Sequence, residues 1–147
     1  MPELFTIGYE GADPERFLGT LRDAGVEIVA DVRAVALSRK RGFSKNALRT
    51  VLESHGIGYR HFVELGTPKA GRDAARAGDR ATLTRIYCGE VLPSEPAREA
   101  VDALAGLAAR QPVCLLCFER DPAFCHRRLL AERLAPLGFA AVDLTVK

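Results

Sequence analysis

The 147-residue chain has no apolar run approaching the ~20 residues that span a bilayer, which argues against a membrane segment. Its start, Met1-Pro2-Glu3-Leu4-Phe5, lacks the positive region and long apolar stretch of an export signal, so a cytoplasmic location is expected. Without export, the four cysteines (Cys88, Cys114, Cys117, Cys125) are expected as thiols rather than disulfides. Net charge is low, +2 from 21 Lys+Arg against 19 Asp+Glu, and by itself demands no polyanionic partner. The chain lacks G-x-x-x-x-G-K-[ST], G-x-G-x-x-G and G-x-S-x-G, which excludes the P-loop, the dinucleotide fingerprint and the nucleophile elbow. A cysteine-phosphatase loop is excluded too, because the positions six residues after Cys117 and Cys125 hold Ala123 and Ala131 instead of arginine. Internal repeats and low-complexity stretches are missing as well.

What remains has the length and balance of one globular domain over residues 1–147, with 48% hydrophobic and 27% charged residues. Apolar, β-rich runs alternate with helical periods. Phe5 to Gly8 reads as a strand, and Asp13-Pro14 as a cap and first turn of a helix ending at Gly25. Val26 to Ala30 is a second strand, Ser44 caps a helix bearing Leu48, Val51, Leu52 and His55 on one face, and Gly58 to Val63 is a third strand. Residues 66–82 show no clear period and read as a mobile loop or a loosely formed helix start. Helical spacing resumes from Leu83 to Leu92 and again through Val101, Leu104 and Leu107 to Arg110. Val113 to Phe118 is apolar on both alternating faces, as expected of a central strand covered on both sides. A last helix, roughly His126 to Leu137, precedes a final strand from Ala140 to Val146. The alternation predicts an α/β fold, a three-layer open and mostly parallel sheet with helices on both faces.

Such sheets bind ligands outside the carboxyl ends of their strands. The polar residues there are Tyr9 and Glu10, Asp31 and Arg33, His61 and Glu64, and Glu119 to Arg127. In the last segment, Asp121-Pro122 is expected to open a helix carrying Cys125, His126 and Arg127 in its first turns, where partial positive charge favours thiolates and anions. Glu119 is the expected general acid/base, with Cys125 or Cys117 as nucleophile or redox-sensitive thiol and His126 moving protons. Taken alone, each cysteine suits plain core packing better, since free cysteine is among the most buried residue types. Cys114, Cys117, Cys125 and His126 are metal-ligand types. Residues three apart on a strand face opposite ways, however, and neighbours on a helix diverge by about 100°, so no metal and no cofactor is expected.

Charge is unevenly distributed: residues 32–52 hold six basic residues and no acid. Asp31 and Arg33 share a side of their strand, and the guanidinium beside the helix start at Ser44 suits phosphate or carboxylate. Ser38-Arg39-Lys40-Arg41 with Phe43 suits a nucleic-acid backbone plus one stacking ring, or merely a solvated surface.

These residues give the chain a resemblance, over nearly its whole length, to the domain-of-unknown-function family DUF488, small bacterial and archaeal α/β proteins. It rests on Thr6-Ile7-Gly8-Tyr9, Asp31-Val32-Arg33, Ser38-Arg39 with Gly42-Phe43, Tyr59, His61, Leu65-Gly66, Tyr87, Leu116 to Glu119 and Cys125-His126-Arg127. Ala36 stands where the family usually has proline, and Thr67 where a second glycine often follows. The resemblance implies a shared fold and a shared site, and supplies no reaction. The leading expectation is an enzyme-like pocket of Asp31, Arg33, Glu119, Cys125, His126 and Arg127, assisted by Cys117, Tyr9, Ser38, Arg39 and His61, for a phosphate-bearing small molecule or nucleotide. The rivals are a nucleic-acid-binding module using residues 33–49, with or without 69–85, and a structural or partner-binding domain.

Overall fold

Asp13 starts the first helix as its sequence position dictates, accepting the Arg16 N–H at 3.1 Å, and Pro14 supplies the first-turn φ. In the computed structural model, which describes residues 2–146, this helix, α1 (Pro14–Asp23), links β1 (Glu3–Gly8) to β2 (Ile28–Asp31). The chain continues through α2 (Lys45–Ser54), β3 (Gly58–His61), α3 (Lys69–Arg76), α4 (Arg80–Ile86), α5 (Glu95–Ala108), β4 (Val113–Cys117), α6 (His126–Leu134) and β5 (Ala140–Leu144). A π turn over Tyr87–Val91 prolongs α4, and 3-10 turns lie at Val63–Leu65, Pro122–Phe124 and Ala135–Leu137.

The strands form one sheet in the order β3-β2-β4-β1-β5, every pair parallel, so the two-faced apolar strand β4 is central. Period two divides its side chains. Cys114 and Leu116 pack with Phe17 and Leu21 of α1 and Leu48 and Leu52 of α2. Val113 and Leu115 pack on the other face with Val101 and Leu104 of α5 and Leu130 and Leu134 of α6. This is the three-layer α/β arrangement expected from the alternation. Among the described residues, no helix is long and apolar enough to cross a membrane.

Four local expectations change. Most of residues 66–82 are helical, in α3 and α4, and Asp79 caps α4 by accepting the Thr82 N–H. The period was hidden because α3 buries Gly71 and Ala74, residues too small to register as an apolar stripe. A Cβ on Gly71 would fall 2.1 Å from Thr67 Cγ2, so any larger residue there would displace the buried Thr67 side chain. Ser44 stands at the start of α2 without capping it through its side chain, bonding instead across the loop to the Ser38 N–H and C=O. Val51 and His55 are exposed and do not join Leu48 and Leu52 in the core; His55 bonds back to the Val51 carbonyl. Lastly, Asp121-Pro122 begins only a 3-10 turn, so α6 starts four residues later with Cys125 as its cap.

Candidate functional site

Two polar clusters stand at the carboxyl ends of neighbouring strands, one on each face of the sheet. The first belongs to β2. Asp31, fully buried, accepts from Arg33 Nε at 2.9 Å and Nη2 at 2.7 Å, from the Arg33 backbone N–H at 3.1 Å, and from the Tyr59 hydroxyl at 2.5 Å. Arg33 Nη1 donates to the Phe43 carbonyl at 2.7 Å and to the Tyr9 hydroxyl at 3.2 Å. The bidentate pair holds the loop after β2. Burial raises the Tyr59 phenol, and its bond to Asp31 raises it further. His61 Nε2 lies 2.7 Å from the Arg33 carbonyl and props the same loop. Phe43, expected to offer a stacking surface, is buried instead, its ring stacked on Tyr9 at 4.6 Å.

The second cluster surrounds the end of β4. The strand stops at Cys117, on the α6 face with Val113 and Leu115, and the chain turns over the end of β1. A Cβ on Gly8 would sit 1.8 Å from the Glu119 carbonyl, so only glycine admits this crossing. Arg127, with no exposed surface, pins the turn: Nη1 donates to the Glu119 carbonyl at 2.5 Å, Nη2 to the Arg120 carbonyl at 3.2 Å and Nε to the Thr6 hydroxyl at 3.2 Å. The sequence suggests an anion ligand at Arg127; instead its two terminal nitrogens hold the protein's own turn and Nε ties it to β1. Cys125 is the α6 cap, with φ −130° and ψ 144°, and its sulfur accepts the Arg127 N–H at 3.5 Å.

This capping geometry overturns the expectation that adjacent Cys125 and His126 diverge. The 100° argument needs both on a helix, and Cys125 is extended. His126 Nδ1 therefore lies 3.6 Å from Cys117 Sγ and 3.9 Å from Cys125 Sγ, and the three atoms fall within 4.8 Å of one another. His126 Nε2 is 2.7 Å from the Val32 carbonyl, which only accepts, so Nε2 carries a hydrogen. Glu119 Oε2 is 3.4 Å from Cys117 Sγ. Tyr87 backs the imidazole, its ring 5.0 Å away and its hydroxyl on the Leu65 carbonyl.

Burial works against a Cys125 thiolate, but the bond from Cys117, the His126 ring and Arg127 outweigh it and hold this thiol well below its usual value. Burial and the neighbouring Cys125 sulfur push Cys117 the other way. Burial also opposes charge on His126, yet Cys125 lifts the imidazole above its usual value. Glu119 is pushed up to about 7, by burial first and then by the Cys125 charge.

A cleft of about 750 Å³ opens over this cluster, between the loop after β2 and α3. Of the residues singled out from sequence, Tyr9, Arg33, Ser38, Arg39, Cys117, Glu119 and His126 line it. Asp31, His61, Cys125 and Arg127 do not; they stand behind the lining and hold it. Lys40, Arg72 and Arg76 join the wall. The two arginines of α3 are not among the sequence candidates, although their i, i+4 spacing beside a Gly/Ala stripe is the signal that marks one helix face.

Fold and site together define an open parallel α/β protein with a cleft at the carboxyl edge of its sheet. The chain belongs to the family described as "Domain of unknown function DUF488", whose model matches residues 13–134. No curated protein and no solved structure matches it.

Proposed function

We propose that the cleft takes a phosphate-bearing small molecule, such as a nucleotide, and that Glu119 exchanges protons with it. The observation that carries this reading is the pairing of a basic rim with a reactive floor: Arg39, Lys40, Arg72 and Arg76 surround a space whose base holds Cys117, Glu119 and His126. A volume of about 750 Å³ falls among small-molecule sites. Arg33 lines the same space, but its charge is matched by buried Asp31, whereas Arg76 meets Asp73 only at 3.8 Å in solvent, so the four rim cations supply the attraction. Cys117 is the sulfur in the wall and Cys125 lies behind it, so Cys117 rather than Cys125 is placed to meet the bound molecule. A nucleic-acid surface has less support, because its stacking ring, Phe43, is internal and Arg39 and Lys40 face the cleft.

Calorimetric titration with inorganic phosphate and with AMP at low salt tests the reading. Binding is expected, weakening about tenfold, or ~1.4 kcal/mol, in the Arg39→Ala/Arg76→Ala double variant and weakening for the native chain as salt rises. Equal affinity in native and double-variant protein, or no binding of either anion, would sink it.

A further inference from the structure

We infer that Cys117 Sγ, Cys125 Sγ and His126 Nδ1 form a site for a single Zn²⁺ ion whose open position faces the cleft. The three donors come from two elements, the end of β4 and the cap and first residue of α6, brought together by the turn that Gly8 and Arg127 hold. Zinc bonds sulfur at about 2.3 Å and imidazole nitrogen at about 2.0–2.1 Å, so a tetrahedral ion sets neighbouring S and N ligands about 3.6 Å apart. The observed separations are 3.6 Å and 3.9 Å, and no two of the three atoms are further apart than 4.8 Å. The two sulfur-to-nitrogen separations thus lie within about 0.3 Å of what the ion needs.

The surroundings fit the same ion. Donation of Nε2–H to the Val32 carbonyl leaves the Nδ1 lone pair directed at the two sulfurs, as a metal-bound histidine requires. The Arg127 N–H on Cys125 Sγ supports a thiolate ligand. Two thiolates and a neutral imidazole balance the double positive charge, which suits a buried position, and sulfur with imidazole favours zinc over the oxygen-loving cations. Cys114 takes no part, since it packs on the opposite face of the sheet. Cys117, His126 and Glu119 line the cleft. A fourth ligand, either a water or an oxygen of the cleft molecule, would enter from that side beside the Glu119 carboxylate. The site does not depend on the anion reading and is tested apart from it.

The experiment strips the intact protein of metal with a chelator and titrates it with Co²⁺, then displaces the cobalt with Zn²⁺. The expected result is a saturable sulfur-to-cobalt charge-transfer absorption with the visible bands of a tetrahedral ion, abolished by zinc. Cys125→Ser and His126→Gln should lose these bands, and Cys88→Ser should keep them. Alkylation of the native chain, mapped by mass spectrometry, covers the case in which a variant fails to fold. Zinc should protect Cys117 and leave the exposed Cys88 open to modification. A folded native protein without cobalt–sulfur absorption, bands that persist in both site variants, or Cys117 modified equally with and without zinc would each overturn the inference.

Discussion

The Asp31 cluster and the Cys117 cluster occupy equivalent places, the ends of adjacent parallel strands, yet they treat burial in opposite ways. Around Asp31 every charge is matched: the carboxylate meets a bidentate guanidinium and a phenol, and the guanidinium's other partners are a carbonyl and a hydroxyl. Around Cys117, two sulfurs, an imidazole and a carboxylate share protons, and among the described residues no ion pair reaches Glu119. A matched cluster resists change and fixes a loop. An under-matched one leaves donor and acceptor groups whose bonding capacity the protein itself does not fill. A carboxyl-edge position alone therefore does not make a residue functional. Asp31 and Arg33 have the chemistry of a site and the bonding of a clamp.

Substitutions in the two clusters should therefore differ most in stability. Asp31→Asn strands a buried guanidinium and should cost about 3–5 kcal/mol, seen as a fall in melting temperature of roughly 10 °C or more. A loss below about 1 kcal/mol in denaturant titration would erase the contrast. Gly8→Ala, which drives a Cβ into the Glu119 carbonyl, is expected to cost about 1–3 kcal/mol. It should also speed amide exchange in residues 118–120; unchanged exchange would show that the crossing relaxes freely. Glu119→Gln is the smallest perturbation. It removes a half-buried carboxyl without a cationic partner, so stability should stay within about 0.5 kcal/mol of the native chain or rise. A marked loss in urea unfolding would mean that Glu119 too is a clamp.

Much of the architecture was legible in the chain. The Asp13-Pro14 start, the Gly25 stop and the two-faced run of β4 are local signals, and each element appeared where its signal stood. The polar residues at strand ends were legible as a set. Their division between clamp and cleft was not, because which face of a sheet receives a residue just past the strand depends on how the chain turns there. Glu119 shows this: it lies beyond β4 and still reaches Cys117 Sγ, through a turn set by Gly8 and Arg127. Phe43 shows it differently, an aromatic in a basic run that pairs with Tyr9, 34 positions earlier in sequence, and so is interior.

The sequence alone determined the alternation of strands and helices, the burial of β4, the basic character of residues 32–52 and the gathering of Cys, Glu, His and Arg near the chain's end. Period, capping residues and composition are local, and local chemistry suffices for them. Only the packed chain makes Arg33 and Arg127 hold loops, carries Arg72 and Arg76 to the cleft wall, and brings Cys125 and His126 together on Cys117. Convergence turns on a single extended residue at the start of α6 and on the turn packed against β1, which brings that helix start back beside the end of β4.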